Sequence, residues 1–199
     1  MTNWQTPIDS LHPWIWTIGN QPIVAAAIHD GHAVREEVLA YLALDRSDRR
    51  REEDPFTAQW TQIAETRLIV QRSRFEVDLN RPREKAVYRQ PQDAWGLAVW
   101  NQPLPDALIA RSLVQYDAFY AELAQVCRNL EQRFGRFVGI CTPTTTAGIN
   151  KSLRLMTILK STSARKRSIA FIGLRLSIEC WLSCANSIFW DGSLMCVKT

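Results

Sequence analysis

Long apolar runs are missing from this 199-residue sequence. No stretch approaches the roughly 18 apolar residues of a membrane-spanning helix. The first ten residues, MTNWQTPIDS, lack the basic-then-apolar order of a secretion signal. We therefore expect a cytoplasmic protein without a membrane partner. Apolar residues make up 46% of the chain and charged residues 22%, which is ordinary for a folded domain and argues against disorder.

Paired cysteine spacing is also missing, and histidine is scarce. The cysteines form an odd set without zinc-ribbon spacing: Cys127, Cys141, Cys180, Cys184 and Cys196. Such a set indicates neither a disulfide framework nor a cysteine metal site, so we expect reduced thiols. The chain has three histidines and none after His32. A Gly-x-Ser-x-Gly nucleophile motif is absent as well.

The net charge of +4 is unevenly distributed. Of 24 Lys and Arg and 20 Asp and Glu, residues 139–199 hold eight basic and two acidic ones, which leaves 16 basic and 18 acidic residues before them. Such asymmetry indicates two kinds of sequence, residues 1–138 and a tail at 139–199. The three consecutive basic residues at 165–167 are too thin a footprint for nucleic acid, so we expect no nucleic-acid partner.

The first part reads as alternating strands and helices. The apolar run from Pro22 to Ile28 suits a strand buried on both faces, and residues 33–45 show helical spacing. Residues 66–71 and 73–79 read as further strands, the second alternating apolar and charged residues. This order predicts an α/β fold with a mostly parallel sheet flanked by helices.

The longest predicted helix precedes a last strand that begins at residues 136–138. One apolar stripe recurs in steps of four and three: Ile109, Leu113, Tyr116, Tyr120, Leu123, Cys127, Leu130 and Phe134. Pro105 suits the first turn of this helix and Gly135 suits its C-terminal cap.

Two short motifs carry candidate chemistry. His29 and His32 lie three residues apart in a glycine-containing loop after the buried strand, so both imidazoles can turn toward one cation. The spacing by itself favours the alternative, a pair of loop histidines bonded to backbone. Asn80 and Arg81 follow the strand at 73–79, and an arginine fork binds carboxylates in bidentate fashion. A structural salt bridge of Arg81 is the alternative.

Two further groups of residues are interpreted as structural. The block Arg49-Arg-Arg-Glu-Glu-Asp54 reads as a solvated charge cluster or a helix start. Five tryptophans are expected to pack in the core rather than stack on a ligand: Trp14, Trp16, Trp60, Trp95 and Trp100.

Several blocks together resemble the N-formylglutamate amidohydrolase family over about residues 14–138. They are PIVAAAIHDGHAVREEV, REEDPFTAQW, RSRFEVDLNRPREKAVY and AWGLAVW, in this order. The resemblance implies a fold related to the zinc carboxypeptidases, zinc held by His29 and His32, and a substrate carboxylate held by Asn80 and Arg81. It also implies that the Arg49 to Asp54 block helps to shape the site. The implied reaction is metal-assisted hydrolysis of a small N-acyl amino acid, N-formylglutamate, to formate and glutamate.

The chain departs from the family after the long helix. A relative would there place Asp-Leu-His-Ser, which supplies a third metal ligand, and a catalytic carboxylate further on. This chain reads Gly139-Ile-Cys-Thr-Pro-Thr-Thr-Thr-Ala-Gly148 instead. We therefore expect a fold that is incomplete at its C-terminus, weak zinc binding and no activity as written. The alternative is a non-catalytic protein that keeps the carboxylate pocket.

The genetic code offers a cause for this departure. Reading the third base of each codon with the first two of the next permits Asp-Leu-His-Ser-Tyr-Asn-His-Arg-Arg-Asp from Gly139 onward. Met156 followed by Thr157 forces Asp in the same shifted frame. We therefore predict that residues 139–199 are an out-of-frame translation, a non-family tail that is poorly ordered.

Overall fold

A four-stranded mixed sheet forms the centre of the computed structural model, which describes residues 11–141. The strands are β1 (Trp14–Thr17), β2 (Ile23–Ala27), β3 (Thr66–Val70) and β4 (Val138–Cys141), in the order β1-β3-β2-β4. Strand β2 pairs in parallel with both β3 and β4, whereas β1 pairs antiparallel with β3. The α/β class is confirmed. The sheet is mixed because the short strand β1, which the sequence did not predict, runs opposite to the others.

Strand β2 is the central parallel strand, as its apolar run predicts. Val24, Ala25 and Ala27 are buried, and Ile23 and Ala26 are half-buried. Both neighbours are in regular register, Val24 opposite Thr66 of β3 and opposite Gly139 of β4. The next residues, Ile28 and His29, are also buried. The first polar side chain after β2, that of His29, therefore lies in the protein interior.

A long helix, α3 (Asp106–Phe134), supplies much of the core against the sheet. Its buried stripe includes Phe119, Leu123 and Leu130, which pack with Trp14 and Leu68 of the strands. Each large apolar side chain so buried stabilises the fold by about 1.5–3 kcal/mol. The predicted helix is confirmed, with Gly135 as a left-handed C-cap at φ 73°. Pro105 is the N-cap, one position before the first turn.

The predicted helix at 33–45 is wrong for most of its length. Only a short helix, α1 (Glu36–Leu39), forms there. Ala33 makes a parallel bridge with Arg72, and Leu42 makes an antiparallel bridge with Trp100. Backbone groups on both sides of α1 are thus bonded to distant segments, and this tertiary pairing overrides the helical spacing.

The predicted strand at 73–79 is also wrong, because residues 74–76 form a turn. The amides of Glu76 and Val77 both donate to the carbonyl of Ser73. Every side chain from Arg72 to Leu79 is buried, the charged ones included. The alternation of apolar and charged residues is real, but it does not separate a core face from a solvent face.

A second helix, α2 (Arg46–Glu52), lies between the two candidate motifs in the sequence. The side chain of Asp45 caps it by accepting from the amide of Asp48. Among residues 11–141 no helix has both the length and the apolar character needed to cross a membrane.

The predicted tail begins inside the last described strand. Strand β4 continues through Cys141, three residues past Val138. Residues 142–199 lie outside the described residues, so the order of the tail and its reading frame stay predictions.

Candidate functional site

Polar side chains converge where β2 and β3 end. These strands are parallel, so their C-terminal ends lie at one edge of the sheet. His29 follows β2, and the buried segment 72–79 follows β3. The bridge between Ala33 and Arg72 ties the two exits together. Such a strand-end edge is where ligand sites form in α/β sheets.

His29 is buried, with 2% of its surface exposed, and its two ring nitrogens face different carboxylates. Nε2 lies 2.8 Å from Oδ1 of Asp78, within hydrogen-bond distance. Nδ1 lies 3.5 Å from Oδ2 of Asp54 and makes no hydrogen bond with any described residue. A buried ring nitrogen in this state needs an explanation, and an absent ligand is one.

His32 pairs with another carboxylate. Its Nδ1 lies 2.5 Å from Oε2 of Glu53. The other oxygen of Glu53, Oε1, accepts from Arg49 and Ser73. Burial opposes ionisation of Glu53, but the hydrogen bond to His32, the charge of Arg49 and the hydrogen bond from Ser73 together lower its pKa. Glu53 is therefore an ionised carboxylate that holds the ring of His32. The rings of both histidines are therefore held by carboxylates, and not by backbone groups as the alternative reading of their spacing predicted.

Asp78 is fully buried at the centre of the site. It accepts from Nη2 of Arg74 at 3.0 Å and from the hydroxyl of Tyr88. Burial alone would raise its pKa, but Arg74, His29 and Tyr88 hold the pKa of Asp78 well below its usual value. Burial and the charge of Asp78 raise the pKa of Tyr88, so the hydroxyl remains a donor.

Asn80 and Arg81 follow Asp78 by two and three positions. The amide of Asn80 donates to Oδ1 of Asp78 at 2.9 Å. Arg81 donates from Nη2 to the carbonyl of Asp93, and its Nε lies 3.6 Å from Oδ2 of Asp78. The side chain of Arg81 is 20% exposed. It therefore combines a structural ion pair with access to solvent.

Aromatic rings line this arginine. The guanidinium carbon of Arg81 lies 5.3 Å from the ring centre of Tyr88 and 5.6 Å from that of Trp95. Trp95 also stacks with Arg74 at 4.8 Å and adopts a left-handed backbone at φ 56°. Such contacts hold a guanidinium in place without occupying its donors.

Two structural interpretations from the sequence are wrong. Glu52, Glu53 and Asp54 are buried rather than solvated, because cationic and polar partners compensate the carboxylates. Trp60 and Trp95 are 39% and 45% exposed and are not core residues. Asp54 and Asp78 cannot be recognised as site residues from the sequence, since both lie in charged runs and only their distant partners distinguish them.

The described residues offer two facing atoms of the kind that bind zinc, but not a complete site. Ligand atoms on a tetrahedral zinc ion at about 2.0–2.1 Å lie roughly 3.4 Å from each other. The 3.5 Å between His29 Nδ1 and Asp54 Oδ2 is compatible with that geometry. Within residues 11–141, no three His, Cys, Asp or Glu side chains are arranged to hold a metal ion. The residues present fit part of a metal site.

Fold and site together define an α/β protein with a buried histidine–carboxylate centre beside a partly exposed arginine, Arg81. The model of the N-formylglutamate amidohydrolase family matches residues 21–158. The chain belongs to the N-formylglutamate amidohydrolase family, whose name describes hydrolases that act on an amide. No curated protein and no solved structure matches the chain.

Proposed function

We propose that this chain carries the substrate-binding part and a portion of the metal-binding part of an N-formylglutamate amidohydrolase. The proposal depends on the position of the buried His29 ring between two carboxylates. Its Nε2 is within hydrogen-bond distance of Asp78, and its Nδ1 faces Asp54. A histidine ligand of a metal commonly donates a hydrogen bond from the N–H of its other ring nitrogen to a carboxylate. The family match supplies the reaction class.

His29 and Asp54 are the residues that would hold the metal in the described part of the chain. His32, the second ligand that the resemblance implies, is bonded to Glu53 through Nδ1, so its Nε2 is the atom it would offer. When bound, a divalent metal such as zinc polarises the formyl carbonyl and activates water. The chain's own residues orient the rings and exclude bulk water, since His29, Glu53 and Asp54 are all buried.

Asn80 and Arg81 would bind a carboxylate of the N-formyl amino acid. The contacts of Arg81 to Asp93 and to the rings of Tyr88 and Trp95 fix the plane of its guanidinium before a ligand arrives. Preorganisation of this kind lowers the entropy lost on binding. Asp78 neutralises only part of the charge of Arg81, because Asp78 also forms an ion pair with Arg74.

Catalysis needs a further metal ligand and a general base beyond the residues named so far. We propose that the reading frame after Val138 removes both, so the chain binds zinc weakly and does not turn over substrate. Equilibrium dialysis of the full chain against zinc tests the metal site. We expect weak binding that His29→Ala and Asp54→Asn abolish. His12→Ala is the matched control, because His12 is exposed and lies outside the site.

The outcomes separate the alternatives. If His32→Ala abolishes zinc binding and Asp54→Asn does not, the ligands are the histidine pair. Tight stoichiometric zinc would show that a third protein ligand is present. Absence of zinc together with measurable glutamate binding by calorimetry would favour the non-catalytic carboxylate-binding protein. Absence of both would refute the proposed function.

A further inference from the structure

Two tyrosines of α3 contact the backbone of the segment that carries the candidate carboxylate-binding pair. The hydroxyl of Tyr116 donates to the carbonyl of Arg81 at 2.9 Å. The hydroxyl of Tyr120 donates to the carbonyl of Leu79 at 2.6 Å. These two carbonyls flank Asn80 in the sequence. Helix α3 therefore holds the backbone on both sides of Asn80.

The rings that carry these hydroxyls are fixed by their own packing. Tyr116 and Tyr120 lie four residues apart, so their side chains are neighbours on one face of the helix. Their ring centres are 4.7 Å apart, and Phe119 meets the ring of Tyr120 edge-on at 5.1 Å. Tyr116 belongs to the hydrophobic core and Tyr120 packs against it. The two donors consequently have defined positions that do not depend on a ligand.

Both hydroxyls keep their protons. Burial raises the pKa of Tyr116 to about 12 and the pKa of Tyr120 well above its usual value. A neutral phenol can donate a hydrogen bond to a carbonyl oxygen, whereas a phenolate has no proton to donate. The contacts to Leu79 and Arg81 are therefore made throughout the ordinary pH range.

The segment itself is a turn at residues 79–80 and not a helix or a strand. The amide of Asn80 donates to the side chain of Asp78, and the amide of Arg81 donates to the carbonyl of Asp78 at 3.2 Å. These amide bonds close the turn on itself, and the carbonyl bonds to the two tyrosines join it to α3. A turn joined to a packed helix presents the side chains of Asn80 and Arg81 in one orientation.

We propose that Tyr116 and Tyr120 are positioning residues for the substrate carboxylate. They fix the turn before a ligand arrives, which reduces the conformational entropy lost when Asn80 and Arg81 bind a carboxylate. They act through the backbone and contact neither substrate nor metal in this assignment. The identity of the ligand rests on the proposed function, whereas the anchoring of the turn is a property of the protein alone.

Tyr116→Phe and Tyr120→Phe each remove one hydroxyl and keep the ring. Amide hydrogen exchange of the full chain, followed by NMR, measures the anchoring without a ligand. We expect the amides of Asn80 and Arg81 to exchange about 3- to 10-fold faster in either variant, relative to the amides of β2. The amides of β2 are the reference because a loss of global stability would accelerate their exchange as well.

Ligand binding measures the consequence of the anchoring. Glutamate affinity, measured by calorimetry, should fall about 3- to 10-fold in both variants, because the turn must then be ordered on binding. Zinc affinity, measured by dialysis, should stay unchanged, since the bonded carbonyls belong to the turn. A merely structural loss of stability would lower both affinities together.

Ser112→Ala is the matched control. Ser112 lies one turn before Tyr116 on the same helix, and its buried hydroxyl donates to the carbonyl of Leu108 and accepts from Arg35. The substitution therefore removes a hydrogen-bonded hydroxyl from α3 but leaves both tyrosine contacts to the turn in place. We expect the relative exchange of the turn and the glutamate affinity to match those of the wild type.

The exchange data decide on the anchoring. Unchanged relative exchange of the turn in a folded tyrosine variant, or an equal acceleration in Ser112→Ala, overturns the proposal. A parallel fall of glutamate and zinc affinity overturns it as well. A wild type that binds no glutamate refutes the proposed function, and faster exchange of the turn in the variants then still supports the anchoring. The two failures are therefore distinguishable.

Discussion

Gly31, between the two candidate histidines, has no room for a side chain. A Cβ at this position would lie 2.1 Å from the carbonyl carbon of Gln71, 2.2 Å from its oxygen and 2.5 Å from its Cα. Real Cβ contacts are essentially never below 3.0 Å. The obstacle is backbone that is itself bonded: the carbonyl of Gln71 accepts from Ala33 and its amide donates to Pro13. Gly31→Ala must therefore move either the histidine loop or the end of β3.

The expected cost follows from these contacts. Overpacking of this kind costs about 1–3 kcal/mol, and weakening one backbone hydrogen bond adds about 1 kcal/mol. We expect Gly31→Ala to lower the free energy of unfolding by about 3 kcal/mol and the melting temperature by about 10 °C for a domain of this size. Thermal and urea unfolding followed by circular dichroism measure both quantities.

Gly96→Ala is the matched control. Gly96 has a left-handed φ of 93°, but a Cβ there would meet nothing within 4 Å. The substitution should cost only the backbone strain, about 1 kcal/mol. A Gly31→Ala protein within 0.5 kcal/mol of the wild type, or less destabilised than Gly96→Ala, would refute the close approach on which the histidine loop depends.

Three further predictions concern binding, acid stability and the reading frame. Arg81→Lys should weaken glutamate binding by about 1.5–3 kcal/mol in calorimetry, because lysine lacks the planar fork, whereas Arg83→Lys in an exposed ion pair should not. Burial tends to raise the pKa of Glu53, but its partners lower that pKa below 4.5. The ionised carboxylate therefore stabilises the folded state above pH 4.5. This stabilisation is lost as the pH falls through the lowered pKa. Urea unfolding should therefore show a gap between wild type and Glu53→Gln that shrinks in acid, and a gap constant with pH would contradict the assignment. Sequencing the gene across the Val138 and Gly139 codons should reveal an open shifted frame that encodes Asp-Leu-His-Ser. A one-base or two-base repair of the gene should then restore zinc binding and deformylase activity together. An early stop codon in the shifted frame would contradict the frameshift.

Local pattern was sufficient for the elements that are long or uniformly apolar. Helix α3 repeats its apolar stripe over many turns, and β2 is an unbroken run of small and branched apolar residues. Few alternative structures bury such patterns, so periodicity alone predicts them. The short strand β1 and the short helix α1 offer too few residues for a periodic signal.

The segment at 73–79 shows where local pattern misleads. Its alternation is typical of a half-buried strand, yet its charged residues are as buried as its apolar ones. Arg74 reaches Asp78, and Glu76 reaches Arg35, which is 41 residues away in the sequence. A charge can be buried when its partner is buried with it, and the sequence does not show which distant residue that partner is.

For the site, the sequence alone determined the residue types: two histidines after a buried strand, an Asn-Arg pair, and a resemblance that the family match confirms. Only the tertiary structure decided that His29 faces Asp54 and Asp78, and that His32 faces Glu53. These carboxylates lie 21 to 49 residues from their histidines along the chain. The parallel pairing of β2 with β3 brings Asp78 to His29, because a parallel sheet places the ends of distant strands at one edge. Glu53 and Asp54 reach the histidines from the segment that follows α2.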